Sequence, residues 1–143
     1  MNLTSAQYRR IAKRPNYRPR KSAEHRIQVE SVDWFRLTYP ALLLFAIPNG
    51  ARFGGDKFLA SLEWARLEAE GAVPGCADLL LCAASGDLSG LFIEMKAGKK
   101  GSQGDTQKEF ETLAIRAGYG YALCRSVREF QDTVKRYLES GEY

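Results

Sequence analysis

Cysteine and histidine are scarce: three cysteines, Cys76, Cys82 and Cys124, and one histidine, His25, in 143 residues. The cysteines form an odd set without Cys-x-x-Cys spacing, which argues against a disulfide framework or a zinc cluster. They are expected to be small buried residues in a reducing compartment. No apolar run approaches the length of a transmembrane helix. The start is polar and basic without a signal-peptide core, so the expectation is a cytoplasmic protein that does not enter membranes. Acidic residues are missing from the first 21 positions, which carry Arg9, Arg10, Lys13, Arg14, Arg18, Arg20 and Lys21. The net charge of +4 is thus +7 in this arm and −3 in the remainder. An arm of this kind is either a solvated tail or a contact for a phosphate backbone.

What is present is the composition of one globular domain, 45% apolar and 27% charged, long enough to bury a core. Residues 1–21 read as the arm and 22–143 as the domain. Ser22 is a candidate N-cap for a helix from about Ala23 to Thr38, with Ile27, Ser31, Trp34 and Phe35 on its inner face. Pro40 ends it. A strand follows over Ala41 to Ile47, then a Pro48-Asn49-Gly50 turn. A second helix spans roughly Lys57 to Glu70, with Leu59, Leu62, Ala65, Leu67 and Ala69 as its apolar positions. Two strand-length runs come next, then a helix from Asp105 or Thr106 to Gly118, for which Thr106 to Glu109 fits a capping box. Tyr119 to Arg125 reads as a fourth strand. Val127 to Glu139 reads as a last helix presenting Phe130, Val134, Tyr137 and Leu138. The order is α-β-α-β-β-α-β-α, an α/β domain with a central mixed sheet of about four strands.

The two middle runs carry the chemistry. Asp78 opens the first, and Glu94-Met95-Lys96 closes the second. Between them, Gly86-Asp87 is the centre of a turn composition. An antiparallel hairpin about that turn sets Asp78 opposite Glu94, Leu80 opposite Phe92 and Cys82 opposite Gly90. Opposed residues share a face, and Lys96 lies two positions beyond Glu94 on the same side. Both alternating sets are largely apolar, so the hairpin is expected to be covered on both faces. Burying two carboxylates needs compensation. With a lysine beside them, they point to a divalent cation and an anionic substrate, the chemistry of phosphodiester cleavage.

Taken together, these residues resemble the PD-(D/E)XK nuclease superfamily and, within it, the virus-type replication-repair nuclease domain, VRR-NUC. The matching words are Glu24-His25-Arg26-Ile27-Gln28, Ile47-Pro48-Asn49-Gly50, Glu70-Gly71, Gly75-Cys76-Ala77-Asp78, Ile93-Glu94-Met95-Lys96, Gln107-Lys108-Glu109 and Leu113 to Gly118-Tyr119. They cover roughly residues 23–140. Cys76-Ala77 departs from the Val-Pro or similar pair often found before the aspartate. The resemblance implies an endonuclease dependent on Mg²⁺ or Mn²⁺. Asp78 and Glu94 would ligate the metal, with the Met95 carbonyl as a further oxygen. Lys96 would orient the attacking water, and Gln107 would hold water or phosphate beside it. Glu24 would be the first-helix carboxylate, a metal ligand directly or through water. Glu30 lies on the same helix, and Gln28 one turn after Glu24 favours Glu24.

Asn49 and Gly50 read most simply as a turn, and Lys99 and Lys100 as a solvated loop. In the context of the resemblance, Asn49 and Arg52 approach the active site or DNA; on charge, Lys99 and Lys100 are candidate phosphate contacts, as are Arg9, Arg10, Lys13 and Arg14 of the arm. Stand-alone relatives resemble Holliday-junction resolvases in forming dimers, which implies a homodimer acting on branched DNA in a bacterium or a phage-infected cell. The alternatives are a monomeric flap or single-strand nuclease and a non-catalytic DNA-binding module on the same fold.

Overall fold

The computed structural model describes residues 22–48, 57–98 and 101–143. Within these, the elements are α1 (Ala23–Thr38), β1 (Leu43–Ala46), α2 (Lys57–Ala69), β2 (Leu79–Cys82), β3 (Leu91–Met95), α3 (Asp105–Arg116), β4 (Gly120–Cys124) and α4 (Val127–Ser140). Their order is the one the sequence implies. The strands form one sheet in the order β1-β2-β3-β4. β1 and β3 both pair antiparallel with β2, and β4 pairs parallel with β3. A parallel pair needs a crossover connection, and α3 supplies it.

One sheet face carries the main core. Leu79, Leu81, Leu91, Ile93 and Met95 point to it and pack with Phe35 of α1 and Phe130, Val134 and Tyr137 of α4. The Ser22 side chain caps α1, its Oγ accepting from the His25 N–H at 3.5 Å. Ser31 and Phe35 are the buried residues of that helix, on the expected face. Ser126 caps α4, and the Tyr137 hydroxyl donates to the Ala83 carbonyl at 2.6 Å, tying the helix to the end of β2. Full burial of Phe130 and Val134 contributes about 1.5–3 kcal/mol each. The exposed Arg128–Asp132 pair at 3.8 Å adds little beside that.

Ser31 Oγ is buried in this core with no hydrogen-bond partner among the described residues. A buried hydroxyl left unpaired costs about 1–3 kcal/mol. Ser31→Ala is therefore expected to raise the melting temperature in a thermal unfolding scan, whereas a loss of stability would show that the hydroxyl is paired.

The opposite face is only half covered. α3 lies over β3 and β4, where Phe92, Phe110, Tyr119 and Tyr121 pack around Ala77 and Ala114. Phe92 and Phe110 meet edge to face at 5.0 Å. Over β1 and β2 no described element covers the face: Leu43 is 57% and Phe45 39% exposed, and Cys82, paired with Leu43 in register, is exposed too. Expected cover on both faces of the hairpin therefore fails beyond Leu80, because one helix spans only two strands. The reading of Cys82 as buried fails for the same reason, while Cys124 is buried and Cys76 half-buried. No residue of α2 is buried, so its apolar positions, Leu59 and Leu62 foremost, are not core positions.

Candidate active site

The hairpin register is the expected one: Leu79 pairs with Ile93, Leu80 with Phe92 and Leu81 with Leu91. The pattern shifts at the turn, where Ser85 bridges Leu88. Carried one residue past the ladder, the register sets Asp78 opposite Glu94. Both therefore belong to the face of Leu80 and Phe92, under the first turn of α3.

Asp78 is clamped through main chain and side chain. Its carbonyl accepts from the Ile47 N–H at 2.8 Å, extending the β1–β2 pairing. Its Oδ2 accepts from the Met95 N–H at 2.8 Å, so the carboxylate curls over the end of β3. Burial raises its pKa, the Met95 N–H opposes that, the Glu24 charge raises it and the Lys96 charge lowers it. Glu94 is 3% exposed. Burial and then the Asp78 charge raise its pKa, against the opposing contributions of Lys96 and Gln107.

Only one oxygen of Glu94 is satisfied. Oε1 takes the Lys96 ammonium at 2.9 Å and also accepts from Gln107 Nε2. Oε2 is buried with no hydrogen-bond partner among the described residues. The orientation of Gln107 is fixed from the other side, because its Oε1 accepts from the Gly104 N–H at 3.0 Å. The cap of α3 is thus Gly104 with Gln107, not Thr106 with Glu109. Starting the helix at Asp105 puts Gln107 at its third position, where one amide serves both the helix end and Glu94.

Gly75 makes this approach feasible. It has φ of +75°, and a Cβ there would stand 2.2 Å from the Thr106 carbonyl oxygen and 2.6 Å from the Gln107 nitrogen. The segment leading to Asp78 and the first turn of α3 are in backbone contact, and glycine alone permits it.

The structure brings together Asp78, Glu94, Lys96 and Gln107. Glu24, in the first turn of α1, lies close enough for its charge to act on Asp78, whereas Glu30 is exposed. Asn49, Arg52, Lys99, Lys100, Arg9, Arg10, Lys13 and Arg14 lie outside the described residues. Arg125 was not foreseen. Met95 pairs with Cys124, and the Lys96 N–H donates to the Cys124 carbonyl at 2.9 Å, so Arg125 follows at the site end of the sheet. Its Nη1 donates to the Gly98 carbonyl at 2.9 Å. A basic residue ending the last strand is the available signal, but reading it requires knowing the parallel pairing.

No family model and no curated protein matches the sequence. Among solved structures, a "VRR_NUC domain protein" superposes with a TM-score of 0.67, covering 86% of this chain and 93% of that one at 19% identity. This chain has the VRR-NUC fold. In this chain the acidic pair sits where β2 begins and β3 ends. No group of three or more His, Cys, Asp or Glu side chains is spaced to hold a metal among the described residues. The donor set offered is two carboxylates and main-chain oxygen. It suits a hard cation such as Mg²⁺, which keeps several waters and takes one or two carboxylates plus substrate phosphate. The unpaired Glu94 Oε2 beside a second carboxylate fits such an ion.

Proposed function

We propose that the protein is a Mg²⁺- or Mn²⁺-dependent endodeoxyribonuclease of the VRR-NUC family, acting on branched DNA as a homodimer. The observation that carries this reading is the buried, half-satisfied Glu94 carboxylate beside Asp78, next to a lysine. Asp78 and Glu94 would hold the metal, with the Met95 carbonyl as a further oxygen and Glu24 reaching it through water. The bound metal supplies Lewis-acid activation of the phosphate and a more acidic water.

The chain's own groups do the rest. Lys96 has three N–H donors, and Glu94 Oε1 uses one. The remaining donors serve the attacking water and a phosphate oxygen, where negative charge grows in the transition state. Gln107 holds Glu94 at Oε1 and leaves Oε2 free of protein partners among the described residues. Half of Gln107's hydrogen-bonding is committed to the α3 cap, so closing the helix end and orienting the carboxylate are one event. Arg125 at the site end of the sheet is one phosphate contact, and Arg52, Lys99, Lys100 and the cationic arm are proposed from the sequence as others; such contacts position DNA without reading its sequence. Two such centres related by a two-fold suit the two opposed strands of a four-way junction.

The test is cleavage of a labelled four-way junction, a flap and a plain duplex in Mg²⁺, Mn²⁺ and EDTA. Paired symmetric nicks on the junction, dependent on metal and made by a dimer, are the expected result. Cutting confined to the flap by a monomer would replace this reading with a flap nuclease. DNA binding without cutting of any substrate would reduce the protein to a binding module. Lys96→Ala is expected to slow junction cleavage by about 100-fold or more, the scale of losing one transition-state donor. Junction affinity measured in Ca²⁺ should fall far less. An equal loss in both would make Lys96 a binding residue only.

A further inference from the structure

Tyr121 is a buried polar group that the mechanism above does not use. It sits in the middle of β4 and is 5% exposed. It pairs with Phe92, so it shares the face of Glu94, one diagonal step away across the β3–β4 ladder. Its ring packs on Phe110 of α3 at 6.3 Å, one turn beyond Gln107. The hydroxyl is buried; Gln103 is placed to donate to its oxygen, and no acceptor for its own proton lies within hydrogen-bond distance among the described residues. Gln103 and Glu111 stand beside it, joined by a bond from Gln103 Nε2 to Glu111 Oε2 at 2.9 Å. Burial, then the charges of Glu94, Glu111 and Asp78, raise the tyrosine's pKa while Gln103 opposes them, so the phenol stays protonated and remains a donor.

Two hydrogen bonds on this face are therefore unmet among the described residues: the one Tyr121 would donate and the one Glu94 Oε2 would accept. Buried polar atoms of folded proteins are seldom left so, and a bound water with two to four polar partners is the usual solution. We infer that Tyr121 is a positioning residue, whose hydroxyl holds, through a buried water, the free oxygen of Glu94 in the direction metal binding requires. Glu94 is then fixed on both oxygens, by Lys96 and Gln107 at Oε1 and from Tyr121 at Oε2. Partners behind a ligating carboxylate commonly change metal affinity by about 10- to 100-fold. The inference rests on the metal-dependent reading proposed above.

Tyr121→Phe tests it, because it removes the hydroxyl and keeps the ring. Mn²⁺ binding is measured by calorimetry without DNA, on wild type, Tyr121→Phe and Asp78→Asn, with a thermal scan of each. The expected result is Mn²⁺ affinity about 10-fold or more below wild type in a Tyr121→Phe protein that melts no lower. An affinity within about twofold of wild type overturns the inference, and a lowered melting temperature with it would assign the hydroxyl to the fold. If wild type shows no Mn²⁺ binding that Asp78→Asn removes, the metal-site reading itself fails, and the role given to Tyr121 falls with it.

Discussion

Glu94→Gln should yield a metal-free protein at least as heat-stable as wild type that no longer cleaves DNA. In wild type the Glu94 carboxylate is 3% exposed, and burial and the Asp78 charge both disfavour its ionised form. Its folded pKa, like that of Asp78, therefore lies above the unfolded value. A group shifted this way gives its stability below the unfolded pKa and loses it as pH rises through the folded one. The metal-free wild type should thus gain stability on acidification from neutral pH toward the carboxylate range, and Glu94→Gln should flatten that dependence. The glutamine carbonyl still accepts from Lys96 and Gln107, so packing is preserved.

Metal affinity runs the other way, since ligands must be deprotonated, and it should fall with pH over the same range. Cleavage by Glu94→Gln should drop by more than about 100-fold, beyond the upper end of what losing a mere outer partner costs. Thermal scans across pH with EDTA, paired with cleavage in Mg²⁺, check both halves. A marked destabilisation with retained cleavage would make Glu94 a structural residue.

Gly75→Ala should be nearly as damaging, though Gly75 carries no chemistry. At φ of +75° an alanine is strained, and its Cβ would overlap the main chain of Thr106 and Gln107. Left-handed strain costs about 1–2 kcal/mol. Overpacking costs a further 1–3 kcal/mol or so. A fall in melting temperature of about 10 °C is expected for a chain of this length. The neighbour that must yield is the first turn of α3, so Gln107 would leave Glu94, and cleavage should fall even at temperatures where the protein is folded. Gly71→Ala is the control, because Gly71 has φ of +108° and a Cβ added there would meet nothing within 4 Å among the described residues. It carries strain without collision and should lose stability but not cleavage. If the two variants behave alike, the contact between Gly75 and α3 has no part in the site.

Much of the site was legible because it rests on short-range geometry. A turn at Gly86-Asp87 and period-two alternation suffice to place Asp78 opposite Glu94, and the ladder from Leu79 to Leu81 bears this register out. The α1 boundaries follow from Ser22 and Pro40, and the α4 core face from helical spacing. Less was legible where distant segments decide. Gly104 rather than Thr106 caps α3 because Gln107 is also drawn to Glu94. Leu43, Phe45 and Cys82 have the character of core residues but lie on the half of the face that α3 does not reach. Tyr121 and Arg125 come to the site through the parallel β3–β4 pairing, which no local pattern announces.

The most direct measurement is Mg²⁺-dependent cleavage of a labelled branched DNA by wild type and Asp78→Ala, with DNA affinity measured in Ca²⁺ for both. A metal-dependent nuclease centred on Asp78 and Glu94 gives cleavage by wild type that EDTA stops, none by Asp78→Ala, and similar DNA affinity for the two. Cleavage that survives the loss of Asp78, or that proceeds in EDTA, would contradict it.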